Sequence, residues 1–536
     1  MSKNIGVFVL VLTVFWGAPG GPHRVFAGSS REGGSARERE SPRDSLVISV
    51  GGLTNGNYDP CKGYGSNGTG IFHSALLKIN VDVQTEPDIA SAYTVSEDRL
   101  VYTFTIRQDI RFSDGALLTP EDVVFTYITA KNSGSSVDLT MLEKAEVLDG
   151  KVRFTLNRVF SPFVRTTALL GIVPQHRYGP DYAQNPIGTG PFKVKQLDVN
   201  QQLIVEPNAY YYGLKSPFKQ ITFLNIDEQT ALAAAKSGQL DVVMVSPEYA
   251  RETVSGMHLE TIKTSDNRGF NLPVIPERTN AAGAVVGNNV TADAAVRRAL
   301  NIGINRQRII DNALNGIGTP SWVRFQGLPW AKEEPGLVDG QAAEARRILE
   351  AAGWIDRDGD GIREKNGIPC EFRMSAFERQ RYDLAAALSE EAKALGIRIL
   401  PEFMDWPTVQ QTVRGIPTCI GTGSYSYLDV FNAFHSSYGD IDLVSLSNSA
   451  LYRNSLVDAY LDNMIAASSE AEAIAFAQKA QYDGQAGANV DFPYLWLVNI
   501  DHTYFVRDGL SLGVQRIHPH GHGVPVIQNL NEWSFN

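Results

Sequence analysis

Cysteine is nearly absent, with three in 536 residues, at positions 61, 370 and 419. Three thiols allow at most one disulfide, and their spacing fits neither a disulfide-stapled scaffold nor a metal knuckle, so they read as buried or loosely exposed free thiols. Long apolar runs are scarce as well. The run Ile5 to Trp16 follows Lys3 and is too short to span a bilayer, so residues 1–27 read as a cleavable leader cut after Ala27, with Ala18 a second possible cut. No cysteine near it could carry a lipid, which points to a protein free in a periplasm and not a lipoprotein. Positive charge is in deficit, 48 Lys+Arg against 59 Asp+Glu for a net charge of −11, a surface that repels nucleic acid and anionic lipid. Catalytic motifs are missing too. There is no HExxH, no His-x-Glu pair near the one histidine cluster to serve as general base, and no G-x-S-x-G elbow on a strand-to-helix turn, so no enzyme is expected.

What is present is a chain that folds. With 43% hydrophobic and 20% charged residues it lies far from disordered compositions, and its length calls for two or three packing units. Residues 28–44 (GSSREGGSARERESPRD) have no periodic apolar positions and read as a disordered linker. LVISV, from Leu46, looks like a buried strand. In VYTFTI, Val101, Thr103 and Thr105 alternate with Tyr102, Phe104 and Ile106, the period of a half-buried strand. TPEDVVFTYITA predicts a helix with Thr119 as N-cap and Pro120 in its first turn. Later, TADAAVRRALNIGINRQRIIDNAL predicts two helices, and CEFRMSAF followed by LAAALSEEAKALGIRIL a strand, helix and strand. The fold class is α/β, with a second lobe after the first.

Five segments carry a resemblance: LVYTFTIRQDIRFSDGALLTPEDVVFTY, GTGPFKVKQLDVNQQLIVEPNAYYYG, AAVRRALNIGINRQRIIDNAL, EARRILEAAGWIDRDGDGIREKNG and LSEEAKALGIRIL. Over residues 45 to 536 the chain resembles the bacterial family 5 solute-binding proteins, which serve ABC importers of peptides and nickel. The resemblance implies a two-lobed periplasmic binding protein fold (class II, large cluster with an extra subdomain) hinged on two crossing strands. It implies lobe I over 45–270 plus 497–536, a subdomain inserted at about 73–186, and lobe II over 271–496. It also implies a monomer that needs no cofactor, captures a small solute and delivers it to an ABC permease in the inner membrane.

Peptide binders of the family hold the peptide amino group with an Asp that here falls on Ser424 or Tyr425, and Asp429 comes too late to replace it. Burying an ammonium without that partner is costly, which lowers a di- or oligopeptide reading. In that reading Trp322, Trp330, Trp406, Tyr425 and Tyr427 would line the cleft, although aromatics are more often core. The tail segment IHPHGHG is the other unusual feature. His518, His520 and His522 would share one side of an extended chain, and imidazole suits Ni(II). Nickel-type members with a His-rich end are the nearest resemblance, so Ni(II) or a small nickel chelate such as nickel-histidine is the expected cargo. His73 is a further candidate donor, against a hydrogen-bonded structural histidine. Arg379 or Arg381 would pair with a chelate carboxylate. A metallohydrolase is the remote alternative. Asp356, Asp358 and Asp360 copy the opening of a calcium loop, but its twelfth position is Gly367 where a bidentate Glu is needed, so a hairpin turn is the better reading.

Overall fold

A computed structural model describes residues 43–536 apart from Thr69, Val444 and His522. The expected leader, all but the last two residues of the linker, and His522 lie outside the described residues. Among the described residues no helix is long and apolar enough to cross a membrane.

The first strand, Ser45–Ser49, sits inside a seven-stranded mixed sheet. It pairs in parallel with Gln220–Leu224 and Val242–Val245. His502–Arg507 joins antiparallel between Val242–Val245 and the edge strand Met257–Ile262. Gln202–Pro207 and Phe192–Asp198 complete the other edge. A parallel strand buried on both faces needs apolar residues throughout, which is why LVIS is continuous rather than alternating. Ile48, Phe223, Val242 and Tyr504 form the core of this sheet, closed from the tail by Trp533.

A four-stranded antiparallel sheet holds Val101–Ile106 with Tyr102, Phe104 and Ile106 inward, as its period requires. The helix Pro120–Asn132 covers it. Thr119 and Asp122 form a reciprocal capping box, and Val123 and Tyr127 are buried. The turn at 188–192 precedes the strand Phe192–Asp198 and permits only glycine, since a Cβ on Gly188 would lie 1.9 Å from the Phe72 carbonyl oxygen.

A second four-stranded sheet is ordered Thr319–Pro320, Tyr494–Asn499, Asn267–Asn271, Cys419–Thr422. Helices Ala294–Gly303, Arg306–Leu314 and Arg379–Lys393 pack against one side through Val296, Leu300, Ile310 and Leu388. Arg379, expected just before a helix, is its first residue. A larger cluster joins Phe104, Tyr127 and Phe154 to Tyr427, Leu461 and Trp496, so the segment about 73–186 shares one core with the chain from 420 to 496. Each of these large side chains contributes about 1.5–3 kcal/mol by burial. The three cysteines are buried and unbridged. In the Asp356–Asp360 turn the Asp356 carboxylate accepts from the backbone of Gly359 and Gly361, and the hairpin Glu364–Lys365 with Ile368–Pro369 follows.

Two segments connect the sheets. Residues 263–266 link Met257–Ile262 to Asn267–Asn271, and 500–501 link Tyr494–Asn499 to His502–Arg507. They run side by side: Ile500 donates to the Asp266 carbonyl at 2.9 Å, and the Thr264 hydroxyl donates to the Ile500 carbonyl at 2.7 Å. The resemblance implied a hinge of two crossing strands; here two short connecting segments outside the named strands lie side by side between the sheets.

Candidate solute site at the hinge

The tail returns along the first connecting segment. His518 bridges Thr264 in parallel; its amide donates to the Lys263 carbonyl at 3.0 Å, and its carbonyl accepts from Ser265 at 2.8 Å. Two residues on, the His520 amide donates to the Gly423 carbonyl at 2.9 Å. The tail therefore stitches the hinge to the loop after Cys419–Thr422. Gly423 must be glycine: its φ is +149°, and a Cβ would fall 2.4 Å from the Ser265 carbonyl oxygen.

At the centre is Asp266, 2% exposed. Its carboxylate pairs with Arg268 on the next strand, accepts from His520 Nδ1 at 2.6 Å, and lies 3.5 Å from His502 Nε2. Burial alone would push this carboxyl up, but the Arg268 guanidinium, with hydrogen bonds from His502 and His520, holds it well below the usual carboxylate range. His502 Nδ1 meets His518 Nδ1 at 3.0 Å, and His518 Nε2 meets Gln515 at 3.0 Å. Burial, reinforced by His502 and Arg516, pushes His518 well below the usual imidazole range.

The histidine roles separate here. Both ring nitrogens of His518 are engaged inside the protein, and the ring is fully buried. His520 is partly exposed. Its Nδ1 faces Asp266 at 2.6 Å and Arg268 Nη1 at 3.4 Å; the shorter, charge-assisted contact makes Nδ1 the donor to Asp266, and in a neutral ring with that tautomer Nε2 is the acceptor nitrogen. His73 is elsewhere. Its Nε2 contacts the Tyr182 hydroxyl at 2.7 Å, its Nδ1 is enclosed without a partner among the described residues, and burial lowers it to about 3. It stands in the wall of a cavity of about 510 Å³, with Tyr64, Asp88, Tyr211 and Arg516.

The arginines also separate. Arg379 is exposed and tied to Asp383 at 3.0 Å, one turn along its helix. Arg381 turns inward: it bonds Glu378 at 2.9 Å and the Cys419 carbonyl at 3.2 Å, and stacks 4.5 Å from the Phe377 ring centre. Phe377 in turn packs 4.8 Å from Trp406, which is 40% exposed. Arg268 and Arg381 converge on Gly421, where a Cβ would lie 2.7 Å from one guanidinium and 2.8 Å from the other. Both guanidiniums are buried and already carry a carboxylate, Asp266 on Arg268 and Glu378 on Arg381, and only a glycine at 421 leaves them room to meet.

Tyr425 and Tyr427 are wall rather than open lining. The Tyr425 hydroxyl donates to the Ile517 carbonyl at 2.5 Å, and Tyr427 is buried near Ser161 and Trp330. Ser424 donates to Asp429 at 2.7 Å. Sequence reasoning missed Asp266, Arg268 and Gly421. The signal was there in DNRGFN, a charged pair two residues apart entering a strand, and in glycine inside CIGTG.

With this geometry in place, the sequence profile of the bacterial extracellular solute-binding proteins, family 5 (middle region), matches residues 84–442. The chain belongs to this family. Solute-binding proteins of family 5 serve ABC importers. The chain is 30% identical over 490 residues to protein XP55 of Streptomyces lividans, covering 87% of this chain and 85% of that protein. It is 29% identical over 353 residues to the nickel-binding periplasmic protein of Escherichia coli (strain K12), covering 61% of this chain and 64% of that protein. The crystal structure of NikZ from Campylobacter jejuni in complex with Ni(L-His) shares its fold, with a TM-score of 0.72 at 22% identity over 92% of this chain and all of the other. AppA from Bacillus subtilis, in complex with a nonapeptide, does so with a TM-score of 0.64 at 22% identity over the same shares.

Proposed function

We propose that this protein is the exported, periplasmic capture component of an ABC importer and that its cargo is a nickel(II) chelate such as nickel-histidine. Lobe I (45–270 plus 497–536) and lobe II (271–496) close over the chelate, and the closed form is what an inner-membrane permease reads. His520 supplies a metal ligand, and Arg381 with Arg268 takes the carboxylate of the chelating amino acid. The protein performs no reaction.

The observation that carries this reading is the Asp266–His520 contact at 2.6 Å. A carboxylate on one ring nitrogen is the arrangement that orients a metal-binding imidazole and raises its basicity. Ni(II) needs four or more donors, so a small chelator must bring the others.

The test is a calorimetric nickel titration of wild type, His520→Ala and His518→Ala at neutral pH with free histidine. His520→Ala is expected to weaken binding about tenfold or more and, because it also removes a hydrogen bond to the buried Asp266, to lower the melting temperature, though less than His518→Ala does. His518→Ala is expected to lower the melting temperature. Equal nickel affinity in wild type and His520→Ala, together with saturable binding of mixed dipeptides, would make the cargo a di- or oligopeptide. That second reading is favoured by the cavity of about 510 Å³ beside Arg516.

A further inference from the structure

The cavity of about 510 Å³ is walled by residues from 64–88, 168–171, 191, 211 and 514–532. Among the described residues, neither connecting segment of the hinge and nothing from 271–496 lines it. Its volume is that of a small-molecule site. A solute held there would touch the early part of the chain and the returning tail, so its capture needs no movement about the hinge.

The charges in the wall do not cancel. Lys78 is tied to Glu86 at 3.1 Å. Arg516 has all three guanidinium nitrogens engaged, Nε with Gln528, Nη1 with the Ile79 carbonyl and Nη2 with the Gly68 carbonyl at 2.6 Å. Asp88 has a neutral partner, the Tyr212 hydroxyl, which donates to it. Its two nearby cations are Lys78 and Arg107, and Arg107 is tied to Asp109 at 2.8 Å. Burial therefore pushes the Asp88 carboxyl up to about 6. Glu532, exposed on the tail, accepts from Asn529 at 3.4 Å. Both carboxylates act on Tyr211, whose hydroxyl is pushed up to about 12 by burial first and then by Asp88 and Glu532.

The wall also holds an acceptor without a donor. The Tyr182 hydroxyl donates to the Ile187 carbonyl at 2.7 Å, so it accepts from His73 Nε2, and His73 Nδ1 is left as a lone pair with no partner among the described residues. Positive and negative ends of the cavity are apart. The Asp88 amide donates to the Leu76 carbonyl, whereas Arg516 bonds the carbonyl of Ile79, three strand residues and about 10 Å further along. An occupant suited to the Asp88 end brings positive charge and N–H donors. A metal ion fits poorly, because the cluster of metal-ligating side chains found among the described residues is at Asp356, Asp358 and Glu364 and not here. Leu77, Leu169 and Ile527 offer an apolar surface for an aliphatic stem, and an ammonium is attracted to an aromatic ring such as Tyr211.

We propose that this cavity is a second solute site, separate from the hinge, which takes a short aliphatic diamine with one ammonium on Asp88 and the other on Glu532 beside Tyr211. The site goes beyond the cargo reading and does not depend on nickel.

The experiment is calorimetric titration of the full chain with putrescine, with butylamine, which has one ammonium, with 4-aminobutyrate, which replaces one ammonium by a carboxylate, and with magnesium(II) as an inorganic dication. Wild type is expected to bind one putrescine saturably and the other three more weakly. Asp88→Asn keeps an acceptor for Tyr212 and removes the charge. It is expected to bind putrescine about 10- to 100-fold more weakly and to melt no lower than wild type, since the lost charge was buried without a cation of its own. Glu532→Gln is expected to weaken putrescine about two- to fivefold, as loss of an exposed ion pair does, and to leave butylamine unchanged. Absence of saturable putrescine binding by wild type, or equal affinity in wild type and Asp88→Asn, would overturn the proposal. Magnesium bound as tightly as putrescine would reduce it to general attraction by an acidic surface and overturn it too. Tighter binding of 4-aminobutyrate than of putrescine would overturn the diamine class and give the cavity to the peptide reading. If Asp88→Asn melts lower than wild type, Glu532→Gln decides, and unchanged putrescine affinity there counts against the site. No nickel is present in these titrations, so their outcome is separate from that of the nickel test.

Discussion

At the scale of single residues, Asp266 does two jobs with one carboxylate. It neutralises Arg268 and it orients His520. An Asp266→Asn change keeps the shape but allows the amide to face either way, so it is expected to weaken nickel binding by about 10- to 100-fold, as loss of a ligand-orienting partner does. Competition against a nickel-sensitive dye measures this. The tail histidines were visible in the sequence because three in five residues is unusual in any context. Their division of labour was not, because it depends on Gln515, His502 and Asp266, which no local pattern connects to them.

His73 gives a separate residue-scale test, because burial lowers it to about 3. An unfolded chain takes up that proton near pH 6.5 while the folded chain resists it, so the neutral ring contributes its full stability above about pH 6.5 and loses it as pH falls toward 3. His518 shifts in the same direction. The melting temperature of wild type is expected to drop steeply between pH 6.5 and 4. His73→Gln is expected to flatten that drop in differential scanning calorimetry, and an identical pH profile in both proteins would refute the assignment.

At the scale of elements, the regular periods were legible and the site-forming irregularities were not. Tyr102, Phe104 and Ile106 turn inward as alternation requires, and Thr119 caps the helix it was expected to cap. Val124 of that helix is only half-buried, since Thr126 and Ala130 take the inner positions with Val123 and Tyr127. The helix carrying Arg379 begins at that residue, which sends Arg379 outward to Asp383 and Arg381 inward toward Cys419, a distinction that needs the exact helix start. The loop at Gly421 and Gly423 looked like ordinary glycine-rich sequence, yet both positions are set by close approach. Gly423→Ala introduces a Cβ against the Ser265 carbonyl in a conformation that side chains rarely adopt, and is expected to destabilise the protein by about 1–3 kcal/mol. Urea unfolding would show this as a lower midpoint with an unchanged slope.

At the scale of the whole molecule, two segments of four and two residues carry the chain between the large sheets, and the tail is bonded to both the hinge and the far loop. A solute held by His520, Arg268 and Arg381 would touch groups anchored on each side of that hinge, which is how local contacts become closure. Saturating nickel with histidine is therefore expected to reduce the radius of gyration in small-angle scattering and raise the melting temperature; an unchanged envelope would argue against closure. Fold and two-lobed plan could be read from motifs spread along the chain. The shared core between the 73–186 segment and residues 420–496 could not, because contacts so distant in sequence leave no local period.

The most direct measurement is diffraction at the nickel absorption edge from crystals grown with nickel and L-histidine. The account predicts one strong anomalous peak about 2.1 Å from His520 Nε2, with a histidine carboxylate against Arg381 or Arg268. A peak at His73, or at the turn where Asp356, Asp358 and Glu364 gather, with none at His520, would contradict it.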